Sequence, residues 1–159
     1  NIIGQFINIQ INDENAKEMN IKQVLNNGEI KGAYFGCALF DNSRFADTNS
    51  ELTNYAFKNM GLSYFNTTSL ENNELVEQSN VITHSNSKFP PSYITDGNFG
   101  TFNNQAHDFA NRLKELKVKY FEYIIDNTDE YIPHSFDTFG GYYSDINNEN
   151  LIKFFKQCI

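Results

Sequence analysis

The chain has 159 residues, 40% hydrophobic and 15% aromatic, with 15 Phe, 9 Tyr and no Trp, which fits one domain spanning residues 1–159 and excludes the aromatic-poor composition of a disordered chain. Its formal charge is −8 and its 12 basic residues are scattered, so no nucleic-acid partner is expected, because phosphate binding needs clustered Lys and Arg. No apolar run approaches the ~18 residues of a membrane helix, and two cysteines, Cys37 and Cys158, make no disulfide framework, so a reduced, cytoplasmic setting is expected.

The run KELKVK at 114–119 is the only weak basic cluster, and it reads as a solvated helix face. No signal peptide opens the chain, and its first residue is Asn, which suggests a processed or truncated piece.

In residues 1–10, NIIGQFINIQ, the spacing of Ile2, Ile3, Phe6 and Ile7 suits one helical face. The alternation of Ile7, Ile9 and Ile11 suits a strand, and periodicity leaves both open. Asn12 or Asp13 then caps a short helix. Residues 30–40, IKGAYFGCALF, are nearly continuous in apolar or small residues, the pattern of a strand buried on both faces in the middle of a parallel sheet. Cys37 is expected to pack there as an inert core thiol.

Residues 41–88 are irregular and rich in Asn, Ser and Thr, an excursion from the sheet. Within it SELTNYAFKNMG (50–61) predicts a capped helix ending at Gly61, and SLENNELVEQS (69–79) a second with Ser69 as its cap. Residues 92–95 predict a strand. Residues 103–116 predict the best helix, with Ala106, Phe109, Ala110, Leu113 and Leu116 in one stripe. Residues 118–125 alternate as the next strand, 126–145 form a long loop, and a last helix starts near Asn147. Strands alternating with helices imply crossover connections and a mostly parallel sheet flanked by helices, an α/β fold.

In such sheets functional groups gather beyond the carboxyl ends of the strands. Asp96 ends one predicted strand, in FPPSYITDGNFGTFNNQ (89–105), and His134 lies in the loop after the next, in YIPHSFD (131–137). A carboxylate there would accept a ring N–H, fix the tautomer and leave the other nitrogen as a base. By itself Asp-Gly-Asn is also a strong turn signal, and that reading of Asp96 stands beside the first. Of the other histidines, His84 reads as a surface residue and His107 as a half-exposed helix residue. Asp126, Asp129, Glu130 and Asp137 surround His134 in sequence, but their spacing fits no Ca²⁺ loop and no Cys/His set for zinc accompanies them, so no metal or cofactor is expected. The aromatic residues Tyr131, Phe136, Phe139, Tyr142 and Tyr143 would line an apolar pocket or cover a sheet edge.

FPPSYITDGNFGTFNNQAHDFANRLKELKV resembles the late strand, acid loop and helix of the hormone-sensitive-lipase-like esterases, and IPHSFD resembles their histidine loop. IKGAYFGCALFD is similar to the strand before their excursion, and GQFINIQIN…AKEMNIKQVL to the helix after the nucleophile elbow in a branch from low-GC bacteria. The resemblance implies the carboxyl-terminal half of an α/β-hydrolase fold, an acyl-serine esterase or lipase of small esters, with His134 as base and Asp96 as its orienting acid. In many relatives the acid stands four positions later, which falls on Gly100 here, so the role passes to Asp96; Asp108 reads as an exposed helix residue.

Neither the G-x-S-x-G elbow nor an HGGG-like oxyanion loop occurs in the sequence. By the family's register the serine would sit just ahead of Asn1, and this chain alone is expected to be inactive on esters. The competing readings are a non-enzymatic module that self-associates through an exposed sheet edge, and a small flavodoxin-like domain that binds an anion at DGNFGT.

Overall fold

The computed structural model describes residues 1–158. Three strands, β1 (Ala33–Gly36), β2 (Ser92–Asp96) and β3 (Tyr120–Ile124), form one parallel sheet in the order β1-β2-β3. Phe35 lies opposite Ile94, and Asp96 opposite Ile124. The α/β character expected from the alternating pattern is present, as a three-stranded sheet flanked by helices.

The helices are α1 (Ile2–Ile11), α2 (Asp13–Glu18), α3 (Glu51–Tyr64), α4 (Glu74–Gln78), α5 (Val81–His84), α6 (Asn103–Glu115), α7 (Phe136–Phe139) and α8 (Tyr142–Lys156). One face of the sheet, carrying Ala33, Phe35 and Ile94, packs with Ile7 and Ile11 of α1, Val81 of α5, and Ala106, Phe109, Ala110 and Leu113 of α6. The aromatic content concentrates there: Phe40 stacks on Phe109 with ring centres 4.3 Å apart, and Phe35 and Phe89 meet the same ring edge-on at 5.3 and 5.4 Å. On the other face Tyr93 stacks on Phe121, meets Phe154 of α8, and donates its hydroxyl to Asn147 Oδ1 at 3.0 Å.

Local chemistry sets the helix starts. Asn12 accepts from the backbone of Glu14 and Asn15, Ser50 from Thr53, Asn73 from Leu75 and Val76, and Asn80 from Ile82 and Thr83. Each side chain supplies an acceptor for amides that have none within the first turn, which is one use of the Asn-rich composition.

The structure decides one element that the sequence left open and differs from the sequence reading at several others. The first segment is helical, because Ile7 and Ile11, one turn apart, both enter the core. The segment expected in the middle of the sheet is β1, a four-residue strand with a neighbour on one side only among the described residues, and β2, all five of whose residues are buried, holds the centre. Gly61 lies inside α3, and the next helix is capped by Asn73 instead of Ser69. The last helix starts at Tyr142, five residues ahead of Asn147, and α7 interrupts the long loop.

The 41–88 excursion is tied to α6 and α1 by polar contacts. Gln105, fully buried on α6, accepts from the amides of Phe40 and Asp41 at 3.1 and 2.8 Å and donates to the Arg44 carbonyl at 3.0 Å. Asn8 of α1 donates to the Val81 carbonyl at 2.9 Å. Arg44 pairs with Asp108 at 2.6 Å, so Asp108 is half of a surface ion pair.

Candidate active site

Three strand ends meet at one rim. β1 gives way to Cys37, β2 ends at Asp96, and β3 leads to the loop that carries His134. The loops after β2 and β3 are sewn together by backbone bonds: Asn98 and Phe99 donate to the Ile132 carbonyl at 2.9 and 3.1 Å, and His134 donates to the Phe99 carbonyl at 3.2 Å. Asn98 adds its side chain, accepting from Ile132 N at 2.8 Å and donating to the Glu130 carbonyl at 3.0 Å. Gly97 allows this approach, since a Cβ there would run into the Ile132 carbonyl. Asn49, from the excursion, clamps the far side by accepting from Gly100 N at 2.8 Å and donating to the Asn98 carbonyl at 2.6 Å.

These ties place Asp96 and His134 side by side, with a carboxylate oxygen and a ring nitrogen within 4.8 Å. A hydroxyl stands between them. Asp96 Oδ1 accepts from the Thr101 hydroxyl and from Gly97 N, the latter at 2.8 Å, and Thr101 Oγ1 lies 3.2 Å from His134 Nδ1. The Thr101 hydroxyl points its hydrogen at the carboxylate, so its oxygen lone pair is left to accept a hydrogen bond from Nδ1–H. The network thus assigns the Nδ1–H tautomer and leaves the Nε2 lone pair unused.

Burial governs the titration of both ends. Asp96 is fully buried, and desolvation pushes its carboxyl from 3.8 up to about 6, against the opposing pull of the Thr101 hydroxyl, the Cys37 thiol and the Gly97 amide. Its second oxygen, Oδ2, has no hydrogen-bond partner; the thiol stands near the carboxylate without meeting Oδ2 in bonding geometry. Burial also holds the half-buried His134 below its ordinary value, with Asp137 working the other way. The ring is flanked by Phe57 of α3 at 5.3 Å and by Phe102 at 5.9 Å, both edge-on.

No protein-family model, curated protein or solved structure matches the chain. What the site can do is therefore a matter of its own atoms. A neutral imidazole with a free nitrogen, oriented by a buried carboxylate through a hydroxyl, is equipped to take and return a proton.

The sequence reading named Asp96 and His134 and missed two neighbours. Thr101 carries no signal beyond its place five residues after Asp96. Cys37, expected as an ordinary core thiol, is buried but sits at the rim, in the left-handed region (φ +45°), with Sγ within 4.8 Å of both partners. Its amide donates to the Thr95 carbonyl at 2.8 Å, and Sγ lies 3.8 Å from Asp137 Oδ1. Burial, then the charges of Asp96 and Asp137, push the thiol far above its ordinary value. Asp137 in turn accepts from the Tyr34 hydroxyl. Beside this group opens a cleft of about 500 Å³ whose wall includes Tyr34, Gly36, Ala38, Leu39, Phe45 and Asp137.

His107 lies apart, 2.9 Å from Asp126, and His84 is half-buried on α5 with its ring against the Glu77 carbonyl. Of the five aromatic residues expected to gather near His134, Tyr131, Phe139 and Tyr142 are exposed, Phe136 is buried with Cys37 and Ile132, and Tyr143 packs against that cluster. No helix among the described residues is long and apolar enough to cross a membrane.

Proposed function

We propose that this chain carries the proton-transfer part of a carboxylic ester hydrolase of the acyl-serine type. His134 is the general base and then the general acid, and Asp96 orients it through Thr101. The Asp96–Thr101–His134 chain of contacts supports this reading most, together with the resemblance of the surrounding segments to the esterases. The substrate is a small ester. The nucleophile and the oxyanion donors come from a G-x-S-x-G-bearing segment outside these residues, and no metal or organic cofactor enters the ester chemistry.

Proton transfer of this kind contributes ~10²–10⁴-fold to a rate. It acts on a hydroxyl that this sequence does not offer in an elbow motif, so the chain alone turns over no ester. The test is p-nitrophenyl acetate turnover by the chain and by the chain extended upstream through a G-x-S-x-G segment. Turnover in the extended form only, abolished by His134→Gln, is the expected result. An extended form that is inactive, or indifferent to His134→Gln, refutes the assignment.

A second reading is favoured by the one-sided pairing of β1 and by the exposure of Ile2 and Ile3 beside the cleft. In it the chain associates with a second copy through that edge. Sedimentation of the chain across a concentration series distinguishes a dimer from a monomer.

A further inference from the structure

The thiol at the rim has no part in the ester chemistry, and its surroundings argue against a nucleophile of its own. It is enclosed, and two carboxylates, Asp96 and Asp137, oppose its ionisation. The same surroundings suit a cation. Cys37 Sγ, a carboxylate oxygen of Asp96 and a ring nitrogen of His134 all lie within 4.8 Å of one another. Asp96 is fully buried, yet Oδ2 has no partner. A buried acceptor of that kind costs stability unless something binds it.

We propose that Cys37, Asp96 and His134 form a binding site for a zinc-like divalent cation, which would occupy the imidazole and so hold the proposed ester chemistry off. The donor set selects the metal. One sulfur, one nitrogen and one carboxylate oxygen favour zinc over magnesium or calcium, which take oxygen ligands alone. A thiolate and a carboxylate together balance the two charges of the ion. The thiol proton leaves to solvent as the S–metal bond forms, and the neutral imidazole binds without losing one.

With metal–ligand bonds of ~2.0–2.3 Å, tetrahedral donors stand roughly 3.3–3.8 Å apart. The observed spread closes to that range by side-chain shifts of about 1 Å, within the reach of rotamer adjustment. Three protein ligands leave a fourth position for water. Asp137, 3.8 Å from Sγ in the metal-free thiol form and held by Tyr34, adds negative charge beside the site, which favours a cation there.

The metal site itself does not depend on ester hydrolysis, its effect on turnover rests on the proposed function, and the test of the site is spectroscopic. In Cys158→Ser the sole thiol is that of Cys37. Cobalt(II) added to this chain after chelator treatment is expected to raise a thiolate-to-cobalt charge-transfer band that saturates at one equivalent and is erased by one equivalent of zinc. Asp96→Asn and His134→Gln, checked for folding by circular dichroism, are each expected to weaken cobalt binding at least about tenfold; His107→Gln, at the separate surface pair, is expected to leave it unchanged. Absence of the band in the single-cysteine chain overturns the site, as does a band that persists undiminished in both substituted chains. Ester turnover of the extended protein is read separately in chelator. A chain that binds no cobalt while His134→Gln abolishes turnover removes the metal and keeps the base; cobalt binding without turnover does the reverse.

Discussion

Replacing Gln105 by Leu tests how the excursion is held above the rim. The side chain is fully buried and makes three hydrogen bonds: from Phe40 N at 3.1 Å, from Asp41 N at 2.8 Å, and to the Arg44 carbonyl at 3.0 Å. Leu fills nearly the same volume but satisfies none of them. Phe40 N is buried, so its orphaned amide costs about 1–3 kcal/mol, and the half-buried Asp41 N and Arg44 O cost less because water reaches them. Added apolar burial returns about 1 kcal/mol. The net expectation is a loss of about 1–4 kcal/mol, which for a domain of this size lowers the thermal midpoint by roughly 2–16 °C. The measurement is urea unfolding followed by circular dichroism and Tyr fluorescence, with Gln105→Glu as a companion that keeps the two acceptor bonds and loses the donor. An unchanged urea midpoint in Gln105→Leu, at an unchanged slope, would show that the tie contributes nothing and that the excursion is held by its apolar contacts alone.

Asp96→Asn should change the pH dependence of stability in the metal-free protein. The folded carboxyl titrates near 6 and the free one near 3.8, so the folded state binds the extra proton between those values and stability falls as pH rises through that window. The loss amounts to about 3 kcal/mol by pH 7. In Asp96→Asn that part of the slope disappears, and matching slopes in urea melts of the two proteins from pH 4 to 7 would contradict it. Thr101→Val removes the hydroxyl between Asp96 and His134 and is expected to cost about 1–3 kcal/mol and to shift the His134 ring signals in NMR, whereas Thr101→Ser leaves both near wild type. Gly97→Ala drives a methyl into the Ile132 carbonyl and should destabilise by at least about 1–3 kcal/mol; a neutral result in thermal melts would mean that the two loops part easily.

Helix α6 was legible because its apolar stripe repeats with the helical period and all but Leu116 of the predicted stripe are buried. The rim was legible too, since a carboxylate that ends a strand and a histidine after the next strand become neighbours in any parallel pairing of the two. Thr101 and Gln105 were not, because a buried hydroxyl or amide is distinguished by its partners, and those come from residues distant in sequence. The burial of Cys37 was legible, but its place at the rim was not, for a related reason. An apolar run marks burial but does not say where the strand stops, and β1 stops at Gly36. Helix α3 was legible from the helical spacing of Leu52, Tyr55 and Phe57, but not its orientation: Leu52 and Tyr55 point away from the core while Phe57 turns toward the imidazole.

That last contact has a kinetic side. Of the fourteen residues of α3 only Gly61 is buried, so little free energy holds this helix to the rest of the molecule. Segments with few interior contacts open on their own, well below the cost of unfolding the whole domain. Phe57 therefore screens its side of the half-buried ring only as long as the helix stays docked.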